Sequence, residues 1–87
     1  MRSDNNLLKI GSLLWCVSDF YAFSSSTTGT VLLSEFSIVM ILSKVVRQSF
    51  FGVLLDVRKC LSPSKGIVYI RDYHLNSYMF NVVVNES

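Results

Sequence analysis

In 87 residues the chain has one alanine (Ala22), one glutamine (Gln48) and two glutamates (Glu35 and Glu86). These are among the strongest helix formers, so any helix here has to be held by packing rather than by propensity. Charge is also scarce: 16% of residues are charged, against roughly 25% in an ordinary globular domain. A small domain has a high ratio of surface to volume, so this shortfall leaves apolar side chains facing solvent or a partner. The formal net charge of +2 is too small to mark a nucleic-acid binder without a basic stripe. There is a single histidine, His74, and Cys16 and Cys60 are the only cysteines. Neither cysteine sits in a CxxC, which argues against a structural zinc site within one chain and against a disulfide framework. No family resemblance emerges from the residues.

What the chain does have is leucine, valine, serine and aromatic side chains, apolar residues making up 51% of it. Its length suits one domain spanning 1–87. In residues 7–23 Leu7, Ile10, Leu14, Val17 and Tyr21 recur in steps of three and four, which predicts a weak N-terminal helix. Residues 24–30, SSSTTGT, lack periodicity and read as a flexible linker within the domain. From 31 to 59 the three-four rhythm is strongest, through Leu32, Phe36, Val39, Ser43, Val46, Phe50, Val53 and Val57. That spacing predicts a long amphipathic helix. Its seven apolar members, Leu32, Phe36, Val39, Val46, Phe50, Val53 and Val57, are the candidate interface. Pro63 and Gly66 mark a turn. The runs 67–73 and 78–84 alternate as strands, joined by residues 74–77 into a C-terminal antiparallel β-hairpin. The fold expected is α+β, with the hairpin packed on the long helix. Its core should centre on Phe36, Val39, Val46, Phe50 and Leu54, facing Ile70, Phe80 and Val82.

Functional signals are sparse. Lys65, Gly66 and Tyr69 fit part of an RNA-recognition signature, but Ile67, Val68 and Asp72 stand where a ring, a small residue and a second ring belong. That pattern disfavours a nucleic-acid partner. Residues 31–46 are apolar, yet Glu35 and Lys44 interrupt them, and sixteen residues fall short of the roughly 20 that a spanning helix needs. An interfacial or poorly spanning segment over 31–57 is the membrane alternative. Arg2 and Lys9 before a short apolar run make a weak export signal, countered by Asp4 and Asp19. His74 and the two thiols lie in no motif that sets up a nucleophile, a base and an oxyanion site. The expectations are therefore no enzyme activity, no cofactor and no metal. The favoured reading is a non-enzymatic interaction module, cytoplasmic rather than membrane-associated, with a protein partner or further copies of itself on the 32–57 stripe. A further alternative is an open reading frame whose product has no selected function.

Overall fold

A computed structural model describes residues 9–24, 29–48 and 51–83. Strands dominate them: β1 (Leu13–Cys16), β2 (Phe20–Ser24), β3 (Thr30–Leu33), β4 (Ile38–Gln48), β5 (Leu54–Ser62), β6 (Gly66–Arg71) and β7 (Phe80–Val82). One helical turn, α1 (Asp72–Leu75), follows β6 directly. All seven strands join one antiparallel sheet in the order β3-β2-β6-β5-β4-β1-β7.

The connections force this sheet to curl. β1 and β2 lie four positions apart in the sheet, about 19 Å if it were flat. Only Val17, Ser18 and Asp19 link them, and four Cα steps reach at most about 14 Å. The sheet therefore rolls into an incompletely closed barrel, which brings Phe20 of β2 against Phe80 of β7 at 5.0 Å between ring centroids. The chain segment through α1 crosses the same gap from β6 to β7 and seats Leu75 in the interior. Alternate residues fill that interior: Leu14 and Cys16 on β1, Phe20 and Ala22 on β2, Val39 and Ile41 on β4, Cys60 on β5, Val68 and Ile70 on β6. Such a core follows from period-two alternation on a sheet with one face turned inward.

β4 and β5 outrun their neighbours and project as a two-stranded arm, which gives the molecule its 43 Å length. Gly52 turns the chain near the arm's tip with φ at 84°, where a Cβ is strained. Apolar Val46, Phe51, Val53 and Leu54 are exposed on this arm.

Several expectations are corrected. Neither the helix over 7–23 nor the long amphipathic helix over 31–59 is present among the described residues; β1 and β2 replace the first, and β3, β4 and most of β5 the second. The physical reason lies in a bulge. The pairing Ile41↔Cys60 is followed by Ser43↔Lys59, so Leu42 is an extra residue and β4 changes face there. One face change at Leu42, with apolar side chains on both faces and turns between the strands, lets residues spaced by three and four be apolar without a helix. Valine, isoleucine and phenylalanine also pack better on a pleated surface than in a helix. At the C-terminus each expected run holds a shorter strand, β6 and β7, while Asp72 and Tyr73 of the first run belong to α1, and the two strands do not pair with each other. β6 pairs with β5 and β2, and β7 pairs with β1 at the far end of the sheet. Of the expected core, Val39, Ile70 and Phe80 are buried and Val82 partly so, while Phe36, Val46 and Leu54 are exposed. Phe50 lies outside the described residues, as do 25–28 of the expected linker; Ser24 and Thr30 at its ends belong to β2 and β3.

Candidate interaction surface

Half of the strand side chains point away from the interior, and the register fixes which of these are neighbours. Ile67 on β6 stands opposite Leu61 on β5, Leu61 opposite Met40 on β4, and Met40 opposite Leu13 on β1. This makes an apolar row across four strands. In the adjoining row Ile38 on β4 stands opposite Trp15 on β1. Leu13 and Ile38 are each 42% exposed although both sit in strands. None of these six side chains is charged.

The turn from Ser34 to Ser37 completes the patch. It closes through Ser37 N–H donating to the Ser34 carbonyl, and it is pinned to the barrel by Phe36 N–H donating to the Cys16 carbonyl and Glu35 N–H donating to Asp19 Oδ1. Phe36 occupies φ = 72°, which a bulky side chain rarely adopts. Its ring lies 5.8 Å from that of Trp15 and is 67% exposed. Backbone strain is thus spent on holding an aromatic ring in solvent beside the chain's one tryptophan.

Beyond the bulge the same outer face changes character. Lys59 on β5 lies between Tyr69 on β6 and Ser43 on β4, and Arg71 lies opposite Val57. Arg47 reaches from β4 over β5 and β6: its Nη1 donates to the Ser24 carbonyl on β2 at 2.7 Å, and its guanidinium lies 4.8 Å from the Tyr69 ring centroid and 5.6 Å from that of Phe23. Cation–π contact and a charge-assisted hydrogen bond both favour that placement. Val57 is fully buried although it stands on the outer face, apart from the interior cluster. Arg71 covers Tyr73 in the same way, at 4.8 Å.

The ionisable side chains are thereby sorted by face. At strand positions of the outer face, among the described residues, they are Arg47, Lys59 and Arg71, all cations. Lys44, Asp56 and Arg58 alternate onto the inner face, and Arg58 pairs with Asp72 at the start of α1, 3.2 Å away. Glu35 and Asp19 sit in turns at the Phe36 edge of the patch.

The nucleophiles and the base are poorly placed for chemistry. Burial pushes the Cys60 thiol up to about 12, lowered in part by Arg58 and raised by Asp72, and it pushes Cys16 up to about 11 with help from Asp19. Both stay protonated at neutral pH, and a thiol is a far weaker nucleophile than a thiolate. His74 is on α1, edge-on to Phe20 at 5.2 Å and against Tyr73 at 4.1 Å. Burial and then Arg71 lower its pKa. Among the described residues no three of His, Cys, Asp and Glu gather as metal ligands, and no helix is long and apolar enough to cross a membrane.

The stripe expected as an interface is dispersed. Val39 is in the interior and Val57 is buried on the outer face; Leu32 is on β3, Val46 and Val53 are on the arm, and Phe36 alone joins the patch. Sequence reasoning missed Leu13, Trp15, Ile38, Met40, Leu61 and Ile67 as a group. Only the pairing register unites them, and the one local signal was a lone tryptophan in a chain short of charge. Compared with protein-family profiles, with characterised proteins and with solved structures, the chain matches none.

Proposed function

We propose that this protein is a small non-enzymatic interaction module whose contact surface is the uncharged half of the outer sheet face. The observation that carries this reading is the row Ile67–Leu61–Met40–Leu13 with Ile38, Trp15 and Phe36 beside it. The interior cluster is complete without these side chains, so what they add to the fold is limited to cross-strand contact on the outer face. A contiguous apolar patch rimmed by polar residues marks a surface that is covered in use. Of the 32–57 stripe, only Phe36 belongs to this patch.

A neutral solvatochromic dye such as Nile red tests the reading. The native chain should bind it, and the double substitution Leu13→Lys, Ile38→Asp should abolish most of that signal while the thermal midpoint moves by only a few degrees. Equal dye binding and equal sedimentation for both proteins would defeat the proposal.

A further inference from the structure

The contact surface has a second half, and the charge sorting across the sheet names what fits the two together. Resting on the reading above, we propose that the outer face of β1, β4, β5 and β6 docks in the interface of a bilayer carrying anionic lipids. Trp15 and Phe36 then enter the acyl boundary, and Lys59, Arg71 and the outer rim of Arg47 lie at the headgroup phosphates.

The argument is charge complementarity joined to apolarity on one surface. The three cations of the outer face have no carboxylate among them at strand positions of the described residues, whereas the inner face carries both signs. A half-buried tryptophan against an exposed phenylalanine, beside aliphatic side chains and with cations on the same surface, is what a headgroup region accommodates: amphipathic rings at the boundary and basic groups against anionic lipid. A second copy of the chain fits the apolar half but sets three cations against three of the same sign when whole faces meet. A single-stranded nucleic acid needs open rings to stack on. Of the rings beside these cations, Phe23 and Tyr69 already carry the Arg47 guanidinium, and Tyr73, with Arg71 and His74 against it, stays 57% exposed. Nucleic acid would also leave the uncharged rows in water. The strained backbone at Phe36 is a separate sign that the ring's exposed position is retained for contact.

Trp15 is the chain's only tryptophan, so its emission reports on this face alone. The full chain is titrated with vesicles of phosphatidylcholine and with vesicles in which a third of the lipid is phosphatidylserine. The anionic vesicles should shift Trp15 emission to the blue and carry the protein down on sedimentation. Neutral vesicles should bind at least tenfold more weakly, and salt should erase most of that difference. Lys59→Gln with Arg71→Gln should weaken anionic binding about tenfold. Phe36→Asn, where asparagine accepts the left-handed backbone, should weaken both kinds of binding without lowering the thermal midpoint. Should a variant fail to fold, the comparison between the two vesicle types with the native chain still decides. A blue shift that depends on protein concentration and not on lipid assigns the face to a second copy. A rise in anisotropy of a labelled single-stranded oligonucleotide, without vesicle binding, assigns it to nucleic acid. Either result overturns the lipid proposal and leaves the contact surface standing. Absence of all three, together with no dye binding, removes both.

Discussion

His74 shows how a side chain without an evident chemical task still writes a pH dependence into the protein. Its imidazole is packed against Phe20 and Tyr73 and lies near Arg71, and both burial and that cation disfavour the protonated form. The folded-state pKa is lowered from 6.5, so between the folded and unfolded values the unfolded chain binds more protons and stability rises with pH. The contribution is whole above the unfolded value and is lost as pH falls through 6.5 toward the folded value. The thermal midpoint of the native protein should therefore drop between pH 7.5 and 5.5 by more than that of His74→Gln. Superimposable profiles for the two proteins would show that the ring environment has no such effect.

At the level of elements, the Arg47 side chain ties the β4–β5 arm to β2 and β6. Removing the guanidinium takes away its hydrogen bond to the Ser24 carbonyl and its contacts with the Phe23 and Tyr69 rings. Arg47→Met keeps the aliphatic stem and should cost about 1–3 kcal/mol, the range of a charged hydrogen bond plus a cation–π contact. Denaturant midpoints measure this, and hydrogen exchange should localise the loosening to 45–57. Arg47 also shows why the elements were only partly legible. Strands within 67–73 and 78–84 were readable because inward Ile70, and Phe80 with Val82, alternate with Arg71 and Asn81 on unbroken backbone. From 38 to 62 both faces are covered in part, by Ile41 and Cys60 inside and by Met40 and Val57 outside, and Leu42 breaks the alternation. A bulge and a long-range arginine contact leave no local trace, so three-four spacing looked like a helix. The contact patch was hidden for the same reason: Leu13, Met40, Leu61 and Ile67 become neighbours only through pairing.

For the whole molecule, the largest cost of folding is set by non-local closure. β1 pairs with β4 and β7, and β2 pairs with β6, so most of the barrel forms only after distant segments meet. A topology of this kind folds in milliseconds to seconds rather than microseconds. The three residues between Cys16 and Phe20 act on the rolled sheet as a bowstring acts on a bow: their shortness, more than any side chain, sets the curvature. Inserting Gly-Ser-Gly after Ser18 should slacken the roll, part the Phe20 and Phe80 rings and lower the thermal midpoint while all seven strands persist in far-ultraviolet circular dichroism. An insertion that leaves the midpoint unchanged would mean the bend is carried by the packed interior instead. A tether this short also makes the two halves of the sheet answer to each other. Trp15 stands five peptide links from Phe20, so anything that settles on the outside of the barrel at Trp15 should also alter how tightly it is strung.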